Sequence, residues 1–275
     1  MLEKLNISDL AKISNDIRIG IIEAVYNGKS GHPGGALSAT DVLTCLYFKE
    51  MNIDEKNPGD ENRDRFVLSK GHASPAIYST LARRGFFDTK ELYKFRKLES
   101  LLQGHPDMRK VPGIDMTTGS LGQGLSVANG MAIASRVNKK DYRVYCLVGD
   151  GEIQEGQIWE AAMTSAHYKL GNLCIIVDNN GLQIDGEVKD VMNPNPIDEK
   201  FKSFGFNVIN IDGHDFNQIL NALESAKSIK GKPTAIIAKT VKGKGVSFME
   251  NKASWHGTAP NDEEYKIAIE DLNRG

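Results

Sequence analysis

Two short polar turns carry the chemistry most easily read from this sequence: Gly149-Asp150-Gly151 and Asp178-Asn179-Asn180. Each directly follows a compact apolar run, 143–148 and 173–177, of the kind that forms strands buried on both faces. In a parallel sheet both turns emerge at the same carboxyl edge, where open α/β folds bind ligands, so Asp150 and Asn180 can meet. A carboxylate oxygen, an amide oxygen and a nearby backbone carbonyl are hard ligands suited to magnesium, with phosphate oxygens and a water completing an octahedron. Glycines flanking Asp150 let the backbone approach phosphates, and a helix beginning soon afterwards offers free N–H groups to an anion. The arrangement suits a diphosphate held through a divalent cation. A strand ending in Gly-Asp-Gly is by itself more often only a tight turn, so the pairing of the two turns carries the expectation.

Those turns need a scaffold. Further apolar runs at 66–69, 208–211 and 234–238 read as strands, and helical stretches at 121–137, 155–168 and 215–228 lie between several of them. This alternation predicts an α/β fold, a parallel sheet with helices on both faces. Leu10, Ile13, Ile17, Ile21 and Val25 recur at helical spacing and predict an amphipathic helix stopped near Gly28. A second helix is expected over 37–51, with the glycine-rich residues 30–35 between them as a loop. Residues 243–260 read as a long ordered loop and 261–272 as a terminal helix. There is no internal repeat or convincing linker, so residues 1–275 are expected to form one domain, with that loop and helix after about 243.

With 40% hydrophobic residues, 25% charged residues and a net charge of −2, the chain offers no electrostatic footprint for nucleic acid or an anionic membrane. Cys45, Cys146 and Cys174 each lie in an apolar run and read as buried thiols of a reducing, cytoplasmic environment. The first residues mix charge into apolar positions, unlike a signal peptide, and no stretch is long and apolar enough to span a bilayer.

The paired turns also form the fingerprint of thiamine diphosphate enzymes, and over essentially its whole length the chain resembles transketolases. Ser30-Gly31-His32-Pro33-Gly34-Gly35, Leu68-Ser69-Lys70-Gly71-His72-Ala73 and Gly104-His105-Pro106-Asp107 resemble three histidine loops of that family. Thr118-Gly119-Ser120-Leu121-Gly122-Gln123-Gly124 resembles its glycine-rich cofactor turn, Asp150-Gly151-Glu152-Ile153-Gln154-Glu155-Gly156 its extended metal motif, and Trp255-His256-Gly257 its last histidine motif. A lone Gly-His pair is more often a solvated histidine; four such loops in order outweigh that.

The resemblance implies a thiamine diphosphate-binding fold and assigns roles. Magnesium, or another divalent cation, would be held by the side chains of Asp150 and Asn180 and the main-chain carbonyl of Leu182. His72 and His256 would lie at the cofactor diphosphate, while His32 and His105 would face the reacting carbons and the donor hydroxyls. Imidazole suits both tasks, because it donates to phosphate and exchanges protons near neutrality. Three of them, His32, His105 and His256, are thus catalytic candidates. Gly119, Leu121, Gly151 and Asn180 would contact the cofactor, and Glu155 would sit between two active sites at a subunit interface. The sequence departs from the family at Ser120, where proline is common, and over 35–38. His167 and His214 match no motif and read as structural or surface residues. Lys242 and Lys244 read as a solvated loop. The small residues Gly130, Ala132, Ala134 and Ser135 fit either close packing in the core or an interface.

Transketolases continue into a pyrimidine-binding domain whose glutamate bonds the cofactor's aminopyrimidine ring, and this chain stops before it. The resemblance therefore implies the N-terminal subunit of a split transketolase. It would be active in a heterotetramer, two copies of this chain with two of a C-terminal transketolase subunit that supplies the pyrimidine-binding domain. The reaction implied is two-carbon ketol transfer from a ketose phosphate to an aldose phosphate, as in the pentose phosphate pathway. Three alternatives stand beside it: the α subunit of a 2-oxoacid dehydrogenase, a deoxyxylulose phosphate synthase, and a non-catalytic cofactor-binding protein. The histidine loops and residues 119–124 argue against the first, and chain length against the second.

Overall fold

The computed structural model describes residues 5–274; residues 1–4, the start of the segment read as unlike a signal peptide, and residue 275, the end of the expected domain, lie outside the described residues. Its centre is a five-stranded, wholly parallel sheet. The strands are β1 (Arg65–Leu68), β2 (Val144–Gly149), β3 (Leu173–Asn179), β6 (Asn207–Asp212) and β7 (Thr234–Lys239), in the order β1-β2-β3-β7-β6. A separate hairpin pairs β4 (Leu182–Gln183) with β5 (Gly186–Glu187). The helices are α1 (Ile7–Gly28), α2 (Pro33–Ser38), α3 (Thr40–Cys45), α4 (Ser74–Arg84), α5 (Gly124–Val137), α6 (Gly156–His167), α7 (Val188–Val191), α8 (Ile197–Ser203), α9 (Phe216–Ser228) and α10 (Asp262–Arg274).

Alternate strand residues feed two cores. Tyr145, Leu147, Cys174, Ile176 and Ile236 join one cluster with residues of α1, α3, α4 and α9. Cys146, Val148, Ile175, Val177 and Ile237 join the other with α5, α6 and α8. The period of two puts neighbours on opposite faces, and both faces are covered, which is why these runs are continuously apolar. All three cysteines are buried free thiols, and burial pushes that of Cys174 up to about 12.

Expected elements recur with adjusted ends, and each adjustment has a local cause. Helix α1 begins at a capping box in which the Asn6 side chain accepts the Asp9 N–H and the Asp9 carboxylate accepts the Asn6 N–H, both at 3.0 Å. It ends as expected at Gly28, but the left-handed residue is Lys29, at φ 49°. Gly28 is instead required by proximity, since a Cβ there would lie 2.8 Å from the Phe95 carbonyl oxygen.

Residues 30–35 are not all loop: Pro33 opens α2, where a residue without an N–H and with φ already fixed fits the first helical position. The helix expected over 37–51 is therefore divided into α2, α3 and a π-turn at Leu46–Glu50. The stretch expected from 121 starts its helix only at Gly124, because Gly119 (φ 151°) and Gly122 (φ 83°) hold backbone that a helix excludes. Helix α4 follows the second histidine loop directly and was hidden by it. The loop over 243–260 contains only turns and one 3₁₀ turn, Ala253–Trp255. No described helix is long and apolar enough to cross a membrane.

Candidate active site

The register of β2 and β3 pairs Gly149 with Asp178, so the two polar turns leave the sheet side by side. Asp150 is buried, and its carboxylate accepts the Gly181 N–H at 2.5 Å and the Gly151 N–H at 2.8 Å. Asn180, also buried, donates from Nδ2 to Asp178 at 3.3 Å, while its Oδ1 accepts the Leu182 N–H at 3.1 Å. Asp150 and Asn180 are thus each tied to the first residues beyond β3. The Leu182 carbonyl faces the same space and accepts from Lys242 Nζ at 3.2 Å.

These groups open onto a cavity of about 460 Å³ at the carboxyl edge of the sheet. Every residue singled out from the sequence lines it: His32, His72, His105, Gly119, Leu121, Asp150, Gly151, Glu155, Asn180, Leu182 and His256. Three of the histidines touch. Their ring centroids are 5.2 Å apart for His32 and His72, 5.4 Å for His32 and His256, and 5.1 Å for His72 and His256. Burial, with the charge of Lys70 beside it, lowers His72 to about 2. Burial and Lys242 lower His256 to about 3, and burial and Arg96 lower His32 to about 4. Neutral imidazoles so placed can both donate and accept a hydrogen bond. His105 stands at the rim, lowered in the same sense by burial and Arg96. Its loop is tied to α4, Tyr78 and Ser74 donating to the carbonyls of His105 and Gly104 at 2.9 and 2.8 Å.

Three buried side chains hold the cavity together, and none was singled out from the sequence. Glu152 accepts from Ser69 Oγ, from the Gly122 N–H at 2.9 Å and from the Gly149 N–H at 3.0 Å, stitching the glycine-rich turn to the metal motif. Lys70 bonds the Gly35 carbonyl at 2.8 Å and pairs with the Asp178 carboxylate, which also accepts from Ser38 and Thr240. Their signal was position alone: each lies within, or one residue beside, a motif already recognised.

Lys242 is the largest departure. Expected in a solvated loop, it is 2% exposed, its amine lowered to about 8 by burial and by Lys70. Lys244 does lie on the surface, 3.7 Å from Glu250. His214, expected to be structural or on the surface, is half-buried between Asp41 and Val241, and His167 ends α6. Ala132 and Ser135 are buried in the core, whereas Gly130 faces solvent, where a methyl group would meet nothing within 4 Å.

The donor set fits a diphosphate held through a hard dication. One carboxylate, one amide oxygen and one carbonyl converge below, while two ammonium groups and three neutral imidazoles line the walls. At Gly151 a Cβ would come within 3.2 Å of the Gln183 side chain, a tight contact that glycine avoids.

The family described as "Transketolase, thiamine diphosphate binding domain" matches residues 10–273. The chain belongs to this transketolase family. A relative from Clostridium sp. (strain MSTE9), "6-deoxy-6-sulfo-D-fructose transketolase subunit SqwG", is 44% identical over 97% of this chain and 97% of its own length. An apulose-4-phosphate transketolase subunit from Phocaeicola vulgatus is 42% identical over 98% of this chain and 95% of its own. Human transketolase is 42% identical over 90% of this chain but 39% of its own length. Among solved structures, the transketolase of Campylobacter jejuni superposes with a TM-score of 0.92 at 37% identity, covering 98% of this chain and 43% of that one. The chain therefore spans about two fifths of these longer transketolases, and its fold is the thiamine diphosphate-binding α/β fold they share.

Proposed function

We propose that this chain is the diphosphate-binding subunit of a magnesium-dependent transketolase. With a second chain carrying the pyrimidine-binding domain, it would transfer a two-carbon ketol unit from a ketose phosphate, or a similarly anionic ketose, to an aldose phosphate. The convergence of Asp150, Asn180, Leu182 and four motif histidines on one cavity carries the reading. Two relatives matched over nearly their whole length and named as transketolase subunits support the division into two chains and widen the range of sugars considered.

In this reading Asp150, Asn180 and the Leu182 carbonyl bind the cation, and His72, His256 and Lys242 donate to the diphosphate. Bound thiamine diphosphate supplies an electron sink for breaking and forming the carbon–carbon bond. Gly119 and Leu121 fix it by main-chain contact, Gly151 gives its phosphates room, and Glu155, packed on Gly122, carries the wall toward the partner. His32 and His105, with His256, bind sugar hydroxyls and pass protons there; unprotonated in the empty cavity, each can accept a hydrogen bond from a hydroxyl while donating another. We take residues 1–275 as one domain and two copies of each chain as the active assembly.

The test is reconstitution. This chain, alone and mixed with a candidate pyrimidine-domain chain, is assayed for ketol transfer between sugar phosphates with magnesium and thiamine diphosphate. Activity only in the mixture is expected. Transfer by the isolated chain would remove the partner from the proposal, and turnover of a 2-oxoacid with a lipoyl acceptor would replace the reaction.

A further inference from the structure

Outside the cavity, a second buried polar cluster ends on the turn that carries Lys242. His214 lies just beyond β6, its own N–H donating to Asp212 Oδ1 at 2.8 Å. Its Nε2 accepts the Val241 N–H at 2.9 Å, and its Nδ1 lies 2.6 Å from Asp41 Oδ2. A backbone N–H can only donate, so Nε2 carries no proton and Nδ1–H must donate to Asp41. The ring is therefore neutral and confined to one tautomer.

Asp41 is 3% exposed on α3. Arg18 Nη2 lies 2.6 Å from it, Ser14 Oγ also donates to it, and Arg18 Nη1 reaches Ser14 Oγ at 2.8 Å. Burial alone would raise this carboxyl, yet the charge of Arg18 and the hydrogen bonds from His214, Arg18 and Ser14 hold it well below the usual carboxylate range. Asp41 is thus an ionised, fully engaged acceptor that leaves His214 no freedom to turn.

On its other side His214 meets a turn already tied to the cavity at its neighbours. The Thr240 N–H donates to Asn179 O at 3.2 Å, and the Gly243 N–H to Gly34 O at 2.9 Å. Val241 lies between them, and the next residue is Lys242, whose Nζ reaches Leu182 O at 3.2 Å and His256 Nδ1 at 2.9 Å. We infer that His214 is a positioning residue, its Nε2 fixing the Val241 amide so that Lys242 projects its ammonium into the diphosphate cavity. The inference rests on the reading of that cavity given above. A merely structural bond would stabilise the turn without changing what Lys242 reaches, so cofactor affinity measured against thermal stability separates the two roles.

Two substitutions separate these roles in the complex of this chain with its partner. His214→Asn keeps a donor near Asp41 but has no atom that reaches Val241, whereas His214→Gln can extend an amide oxygen to the Val241 N–H. Losing that bond is expected to weaken thiamine diphosphate binding, titrated with magnesium, by about tenfold in the asparagine variant. It should also speed amide exchange at Val241 by a similar factor, with the thermal midpoint little changed. The glutamine variant should restore both readouts to within about threefold of the parent. The inference is overturned if the asparagine variant matches the parent in exchange at Val241, or if both variants lose affinity in step with thermal stability. Failure of the parent itself to bind thiamine diphosphate would overturn the cofactor reading and the role of His214 toward it, while the exchange measurement would still report whether His214 holds the Val241 amide.

Discussion

Lys242 Nζ lies 2.9 Å from Nδ1 of His256, and because an ammonium group only donates, the imidazole proton belongs on Nε2. The lysine thus sets which side of the ring offers an N–H to a ligand. Replacing Lys242 by methionine keeps most of the stem and removes the charge. A charge-assisted hydrogen bond contributes about 1.5–3 kcal/mol, so affinity for thiamine diphosphate in the two-chain complex should fall by at least about tenfold. Calorimetric titration reads this directly; an unchanged affinity would remove Lys242 from the diphosphate site.

The Asp150→Asn variant addresses the cation. The Gly151 and Gly181 N–H groups bond different carboxylate oxygens, so the single amide oxygen keeps one of the two bonds; the fold, held by the buried sheet, should persist, while the charged ligand is lost. Magnesium-dependent cofactor binding should weaken by about tenfold or more, with the circular dichroism spectrum retained. Equal magnesium dependence in variant and parent would show that the cation sits elsewhere.

Acid should loosen this chain earlier than ordinary carboxylate titration would. An unfolded histidine takes a proton near pH 6.5, whereas the folded chain holds His32, His256 and His72 at about 4, 3 and 2, with burial the largest cause in each. The unfolded state therefore binds more protons below pH 6.5, and stability present above that pH is lost as it falls toward 4. Asp150, raised to about 6 by burial, works in the opposite direction, as do Asp64 and Glu152, which burial also raises; the histidines dominate between pH 6.5 and the carboxylate range because three of them are held so far below their unfolded value. The urea midpoint should decline from pH 7 to pH 4, and His72→Gln should flatten the slope. A midpoint that holds steady to pH 5 in the parent contradicts this account.

At Gly124 a methyl group would approach Ser69 Cα to 2.7 Å, at the point where α5 crosses the second histidine loop. Backbone cannot yield as a side-chain tip can, so Gly124→Ala should cost about 1–3 kcal/mol in urea unfolding. Gly130→Ala, in the same helix with open space around it, serves as the control and should be neutral or slightly stabilising. Equal midpoints for the two variants would mean that the contact is relieved at no cost.

The sheet was legible because strands covered on both faces leave a continuous apolar record, and 173–177 needed only extension to Asn179. The candidate site was legible for a related reason: its polar turns and histidine loops are short contiguous segments, and all of them reach one cavity. Lys242 was not, because its burial depends on Leu182 and His256, contributed by separate segments, and a Lys-Gly-Lys-Gly run looks the same whether or not they cover it. Asp178 was read as part of a polar turn; that its carboxylate would be spent on Lys70, Ser38 and Thr240 depends on three other segments. Pro33 was hidden by its glycine neighbours, although proline at a helix start is itself a local signal.

The register that pairs Gly149 with Asp178 has a consequence in time as well as in space. Loops at most ligand sites open and close on their own, but here both turns hang from strands that have a paired neighbour on either side and are buried in two cores. Their lifetime is that of the sheet, so the amides of Val148 and Val177 should exchange only through global unfolding. The turns proposed to bind the cation would then be formed before any ligand arrives and persist after it leaves, and cofactor exchange would be timed by the outer wall of the cavity.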